Sequence, residues 1–526
     1  LAGAHLVAAH ASGRFQFHDL LREYAAGRAR AEDGAAAVHA AIERLFGFYL
    51  AVTDAATRRL YPHVLRMPGP PAVPARPGEV PATEAAVLDW LDAELPNLVA
   101  VVRAAEPGLR HFSWLIADAL RGYFVARGHA AEGLAVCQAA LAAAAQEDDE
   151  RAEASINDLL GLVYYNLSDY PKAISHHFRA LALNRRTGNA LAEASSLHNL
   201  GRVHSQLGKP AQATLYYEQS LTINRRVGNH YGEASDLNYV GAAWLSLGRP
   251  DRAIAHHTQA LDVRHQGDGR TIELIAMNGL GLAYWTRGEL DKAVRAHTES
   301  FELAKQLGNR HAEAIQLVCL GETNCDAGRY EEAFTQAQRC ITLSRQLGER
   351  RGEVGALDVL ATVYLQRGHP DIARRYYADA LQIAREIGFG YGAASVLVGL
   401  SAALRVAGRV SEALAYCRDA LAVLHDSGMR LLEGRALTEL AHGYLELGNL
   451  TQASAHIEQA LKVLRERKQR LAEARALDVR GAIRHATGDT TAAWSAWREA
   501  LEIFTEVGTP DAAEIAARLG VAPPSA

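Results

Sequence analysis

The sequence predicts an all-α solenoid built from antiparallel helical hairpins. Two observations carry this: the chain repeats itself with a period of 40 residues, and its apolar content is mostly Ala and Leu, both strong helix formers. Alanine keeps one phase at 173, 213, 253, 293, 333, 373, 413, 453 and 493. At 526 residues, with 49% apolar and 22% charged side chains, the chain is too long for a single core and composed like a folded protein.

Each repeated position has a physical reason. Gly208, Gly248, Gly288, Gly328, Gly368, Gly408, Gly448 and Gly488 fall where a first helix ends and the chain must turn back through a left-handed residue, with Ser168 standing in that place once. Gly188, Gly228, Gly308, Gly348, Gly388, Gly428 and Gly508 end the second helix in the same way. Lys468 departs from this set, and Asp268 lies between Gly267 and Gly269. Gly161, Gly201, Gly241, Gly281, Gly321, Ala361, Ser401, Ala441 and Gly481 put a small residue on the first helix, facing the small Ala of the second, so that the two helices approach closely. Glu153, Glu193, Glu233, Glu273, Glu313, Glu353, Glu433 and Glu473 place a negative charge in the first turn of the first helix, where the helix dipole favours it; Ala393 departs.

The order Leu357-x-x-Leu360-Ala361-x-x-Tyr364, then Ala373, then Ala380-Leu381 resembles the tetratricopeptide repeat. The unit is roughly six residues longer than the common form of about 34. The resemblance implies a superhelix with a concave, ligand-binding inner face. Clear repeats cover 151–510 and a worn one, 111–150, keeps Gly128, Ala140 and Leu141, giving a repeat region of 111–510. Residues 511–526 read as a capping helix and tail. Residues 33–110 read as a helical connector holding a proline-rich linker at 67–81, with a helix over 82–106 that Pro96 can break.

The first residues carry a second resemblance. Gly13-Arg14-Phe15-Gln16-Phe17-His18-Asp19-Leu20-Leu21-Arg22-Glu23-Tyr24-Ala25 is similar to the end of the winged-helix segment of an NB-ARC nucleotide switch, where a hydrophobic-His-Asp motif follows a β-hairpin; this assigns residues 1–32. With Tyr49, Tyr61-Pro62-His63 and Trp90-Leu91-x-x-Glu94-x-x-Asn97-Leu98, the chain resembles the AfsR-like (SARP, NB-ARC, tetratricopeptide) transcriptional regulators of actinobacteria. The resemblance implies a sensing arm whose partners are a peptide, protein or small-molecule effector and the NB-ARC domain of the same protein. It also implies that His18 senses the β-phosphate of ADP in the full-length context. The chain shows no Walker A loop, Walker B strand or DNA-binding module and reads as a fragment. No cofactor is expected in it, whereas ADP or ATP is expected for the full-length protein. A free-standing interaction scaffold and a MalT-like small-effector sensor are the alternative readings, and an enzyme is not expected.

By the geometry of such repeats, Ser195, His198, Arg202, Asn238, Asn278, Trp285, Val318, Glu322, Asp358, Arg405 and His442 line the inner face, with Trp285 read either as an apolar anchor for a ligand or as packing between hairpins. No metal site is expected: His177, His257 and His297 occupy a large packing position that Tyr217 and Tyr377 fill elsewhere. Arg185-Arg186, Arg225-Arg226, Arg345, Arg385 and Arg465 read as favourable charge at helix C-termini rather than a nucleic-acid stripe, and the net charge of -5 argues against direct DNA binding by this chain. Five cysteines without paired spacing read as reduced thiols of a cytoplasmic protein. No run reads as long and apolar enough to cross a membrane.

Overall fold

The computed structural model describes residues 7–11, 14–17, 19–67, 75–76, 78–263, 270–426 and 431–521. His18, most of the linker 67–81, Asp268 with its flanking glycines, and Gly428 lie outside the described residues. The chain divides into two compact units, 1–199 and 200–526.

The first unit opens with an antiparallel hairpin, β1 (Val7–Ala11) and β2 (Arg14–Phe17), pairing Val7 with Phe17. Helices α1 (Asp19–Glu32), α2 (Gly34–Leu60) and α3 (Glu84–Arg103) follow. Two expectations need correction. Helix α3 runs through Pro96 without breaking: the proline removes one backbone hydrogen bond, while Leu91, Leu95, Leu98 and Val102 hold a continuous buried stripe. Helix α2 is long and apolar enough, by length and composition, to cross a membrane. It is buried on one side at Phe46 and around most of its circumference at Leu50–Thr53, and Glu43, Arg44, Arg58 and Arg59 are exposed. Its apolar content therefore serves packing.

In the worn repeat the first helix is split into α4 (His111–Ala119) and α5 (Arg121–Arg127), followed by α6 (Ala130–Gln146). The division at Leu120 sits beside buried Arg121, which pairs with Asp118 at 3.0 Å and with Asp158 at 3.1 Å. The hairpin α7 (Glu150–Asn166) and α8 (Tyr170–Arg186) completes the unit, whose boundary falls within α9 (Ala190–Gln206).

The second unit continues with α10 (Pro210–Val227) and then with hairpins: α11 (His230–Ser246) and α12 (Pro250–Val263), α13 (Arg270–Arg287) and α14 (Leu290–Gln306), α15 (Arg310–Asp326) and α16 (Tyr330–Leu347). Next come α17 (Arg350–Gln366) and α18 (Pro370–Glu386), α19 (Gly390–Val406) and α20 (Val410–Asp426), α21 (Glu433–Glu446) and α22 (Leu450–Glu466). Helices α23 (Arg470–Ala486), α24 (Thr490–Val507) and α25 (Asp511–Leu519) close it.

Three devices repeat along the array. The turns demand positive φ whether or not glycine is present: Ser168 and Lys468, the sequence departures, adopt φ 60° and 53°. At five of the helix crossings, the glycine of the first helix receives a ring from the second, whereas Gly321 meets Val359 of the next hairpin. His177 seats on Gly161, Tyr217 on Gly201, His257 on Gly241, His297 on Gly281 and Trp497 on Gly481, and a Cβ built at Gly201 would fall 2.6 Å from the Tyr217 ring. Third, the arginines near second-helix ends are ion-paired. Arg185 meets Glu193 at 2.8 Å, Arg225 meets Glu233 at 2.8 Å, Arg345 meets Glu353 at 2.7 Å and Arg465 meets Glu473 at 2.8 Å. The sequence reading treated these arginines and glutamates as separate helix-end charges; they clip each hairpin to the next, and Ala393 leaves Arg385 without this pair.

Within the second unit the array returns on itself. The Arg467 Nη1 group donates to the Ser246 carbonyl at 2.9 Å, Lys468 meets Asp251 at 2.5 Å, and Arg475 of α23 meets Asp326 of α15 at 2.8 Å. The glycine turns sit in this seam. A Cβ at Gly248 would lie 2.6 Å from Arg467 Cα, at Gly288 2.7 Å from Val507, and at Gly328 2.8 Å from Pro510. Gly408, at φ +75°, faces open space. Gly408→Ala should therefore cost only the left-handed strain of about 1–2 kcal/mol, whereas Gly248→Ala should cost more and enlarge the radius of gyration in small-angle scattering. Equal effects of the two on melting temperature and radius would contradict the seam.

Candidate ligand-binding site

The first helices α15, α17, α19, α21 and α23 follow one another around an interior that the Arg475–Asp326 pair closes. Helical period places side chains four residues apart on the same face, one turn above another. Two polar layers result on α15. In the outer one, Asp326 is matched: Trp285 Nε1–H of α13 donates to its Oδ2 at 2.9 Å, and Arg475 binds its Oδ1 while lying 3.8 Å from Asp511.

One turn earlier, Glu322 faces Asp358 of α17, Tyr391 of α19 and Arg435 of α21, each acting electrostatically on the others. Among the described residues Glu322 accepts no hydrogen bond, the Tyr391 hydroxyl has no partner and Arg435 forms no ion pair, while Asp358 accepts one bond, from Ser395 Oγ at 2.7 Å. Burial, reinforced by Asp358, pushes the Glu322 carboxyl up to about 8. Burial also raises Asp358 against the hydrogen bond from Ser395 and the charge of Arg435, and raises Tyr391, with Glu322 adding to it. Glu322, Asp358 and Tyr391 are half-buried and Arg435 is exposed, so the layer forms a polar inner surface with hydrogen-bonding capacity open to a ligand or water.

The expected inner-face residues do not all meet here. Glu322 and Asp358 do. Asn238 is a correction: it is buried, accepts from or donates to His257 Nδ1 at 3.0 Å and donates to the Ile272 carbonyl at 3.3 Å, so packing consumes it. Val318 is another, since it fills the space left by Gly355 on the neighbouring first helix. Asn278 is half-buried and accepts from Gln316 Nε2 at 3.1 Å. Trp285 is half-buried and tied to Asp326, the stitching position between hairpins rather than a free anchor. Arg405 and His442 form a separate cluster, with Arg405 bound to Glu439 at 3.1 Å and Glu446 at 2.9 Å. Burial, with Arg405 beside it, lowers the His442 imidazole. Arg202 is half-buried in the second unit, and Ser195 and His198 are half-buried in the first.

Sequence reasoning missed Tyr391, Ser395, Arg435 and Arg475. The signal was present: Ser395, Arg435 and Arg475 share the repeat position of Ser195, which was selected.

The buried histidines serve packing. His177 Nδ1 pairs with Asp158 at 2.9 Å in the first unit, where Arg121 and Asn199 also bind that carboxylate. Burial opposes ionisation of Asp158, but these partners, His177 first, outweigh it and hold its pKa down to about 2. In the second unit, burial lowers His257 and His297 to about 4.

The family model described as Tetratricopeptide repeat matches residues 152–226, 233–306 and 311–386. These stretches are tetratricopeptide repeats. Among solved structures, the apo form of the quorum sensor NprR from B. thuringiensis is similar at a TM-score of 0.52 and 13% identity, covering 65% of this chain and 93% of that one. The Rap conjugation gene regulator of plasmid pLS20, in complex with the Phr* peptide, is similar at 0.48 and 14%, covering 65% and 97%. A STAND (signal transduction ATPase with numerous domains) protein with a tetratricopeptide repeat sensor from Pyrococcus horikoshii is similar at 0.44 and 11%, covering 66% and 52%. At these identities the likeness to NprR shows the tetratricopeptide fold alone. No curated relative matches the chain in sequence.

Two predictions follow from the packing. Folded, His257 and His297 stay neutral down to about 4, while the unfolded chain protonates them near 6.5. Their contribution is complete above the unfolded value and is lost as pH falls toward 4, by on the order of 3 kcal/mol each. Acid titration of the melting temperature should show this loss, and His297→Tyr should shrink it; an unchanged slope contradicts the assignment. Trp285→Ala should lower the melting temperature and, by releasing Asp326, loosen the ring; unchanged stability would return Trp285 to the role of a free anchor.

Proposed function

We propose that the chain is the ligand-sensing arm of an AfsR-like, NB-ARC-type transcriptional regulator working in the cytoplasm. In this reading it receives an effector inside the second unit and passes that state to a nucleotide switch. The observation that carries the ligand half is the layer of half-buried Glu322, Tyr391 and Asp358 with exposed Arg435 beside them, which form no ion pair with one another although buried Asp158 and half-buried Asp326 are paired. A ring closed by Arg475 on Asp326 suits a small molecule or an extended peptide better than a folded protein surface. Ligand binding that reorganised this ring would move the seam, and so change the geometry of the array.

The switch half is supported by the resemblance of residues 13–25 and 90–98 to such regulators. The chain has no phosphate loop, so ADP or ATP is assigned to the NB-ARC domain and no step of nucleotide chemistry or DNA contact to these residues. The tetratricopeptide array itself is proposed as non-catalytic.

Selection of a phage-displayed random peptide library on residues 1–526 tests the ligand site. Enrichment is expected on the wild type and should be lost on Arg435→Glu at an unchanged melting temperature. Peptides that bind both equally, or the absence of enrichment together with no thermal shift from a small-molecule library, would contradict the reading.

A further inference from the structure

Two ion pairs recur through the array, and both fail at α15. The first is the clip from the end of a second helix to the start of the next first helix, as in Arg345–Glu353. Ahead of α15 the cation is Lys305, which turns to Glu302 of its own helix at 3.1 Å. Glu313, in register with Glu353 and Glu473, therefore forms no ion pair among the described residues. The second pair joins the start of a first helix to the end of the second helix in the same hairpin. Arg350 meets Glu386 at 2.7 Å and Arg470 meets Glu506 at 2.8 Å. In the hairpin of α15 and α16 the same place holds Arg310 and a neutral partner, Gln346, at 3.4 Å.

Both unmatched groups line one cavity of about 350 Å³ between α14, α15 and α16. Its apolar lining is Phe301, Leu317 and Leu343, all buried. Its charged lining is Arg310 and half-buried Glu313 from α15 and Arg339 from α16. Arg339 lies over the Phe301 ring, with its guanidinium carbon 5.3 Å from the centroid, and forms no ion pair among the described residues. The cavity thus presents charges of both signs that do not reach one another, beside an apolar surface. Two guanidinium groups favour a carboxylate, and the Glu313 carboxylate accepts N–H donors. An inorganic anion would satisfy the arginines and leave Glu313 unmatched. An uncharged ligand would leave all three unmatched. A zwitterion satisfies both signs, and a cavity of this volume, at the small end for ligand pockets, suits a small one.

We infer that this cavity binds a free α-amino acid with an apolar side chain. The carboxylate meets Arg310 and Arg339, the ammonium meets Glu313, and the side chain lies on Phe301, Leu317 and Leu343. Two of the three walls are second helices, so the site is separate from the Glu322 layer among the first helices and stands or falls independently of it.

The test is calorimetric titration of residues 1–526 with L-valine, L-leucine, L-isoleucine, L-methionine and L-phenylalanine at millimolar concentration. At least one should bind. For the tightest, the analogue lacking the carboxylate and the analogue lacking the ammonium should each bind about tenfold more weakly or worse. Glu313→Gln should weaken the amino acid by about tenfold or more and leave the analogue without the ammonium unchanged. A further variant restores what the rest of the array has. Lys305→Arg should pair with Glu313, raise the melting temperature and weaken binding as Glu313→Gln does. All these substitutions lie on exposed or half-buried polar side chains, and melting curves confirm that each variant is folded. The inference is overturned if none of the five amino acids binds the wild type, if either analogue binds as tightly as its parent, or if folded Glu313→Gln or Lys305→Arg binds as the wild type does.

Discussion

In the hairpins of Gly161, Gly201, Gly241, Gly281 and Gly481, a ring from the second helix occupies the volume that a side chain would otherwise fill, as His297 does over Gly281 and Trp497 over Gly481. The spacing of these hairpins depends on that contact, while Ala361, Ser401 and Ala441 keep the crossing small in later ones. It sets how closely the two helices approach and, because the partner is a stiff ring, it sets their separation within narrow limits. Left-handed turns and arginine–glutamate clips then fix each hairpin against the next. A near-constant step repeated along the second unit accumulates into a rotation that brings Ser246 against Arg467. Closure is a consequence of local regularity and needs no dedicated domain interface.

Closure changes what the inner face can do. On an open crescent, a glutamate such as Glu322 would be solvated and unremarked. Inside a ring held by Arg475 and Asp326, the same residue is half-buried near Asp358, and its carboxyl is pushed up to about 8. The seam itself is of a different character. Lys468 and Asp251 are about half exposed and contribute little as an isolated pair, so the glycine turns packed against the facing chain carry more of the contact.

Much of this was legible in the sequence because it is periodic. The turn glycines, the small residue at the crossing and the large residue above it keep register and announce themselves. Even Ser168 and Lys468, which break the glycine pattern, obey its backbone. What was missed falls between periodic sets. Arg345 and Glu353 were each seen, but they lie on two different helices and pair only across the turn between them. Asn238 and Val318 hold inner-face phases and yet are consumed by His257 and Gly355, which phase alone does not reveal. Arg435 was passed over although it sits in register with Ser195, and its importance arises only when the ring sets it opposite Glu322. Closure was not legible at all, since no single residue encodes rotation per repeat.

The central claim is that the second unit closes into a ring with an interior. Spin labels at Ser246 and Lys468, far apart along the chain and adjacent in the seam, test it most directly by pulsed electron paramagnetic resonance in solution. The closed ring gives a single short and narrow distance distribution. A long, broad distribution would show an open array, and with it an inner face on which Glu322 and Asp358 are fully solvated side chains.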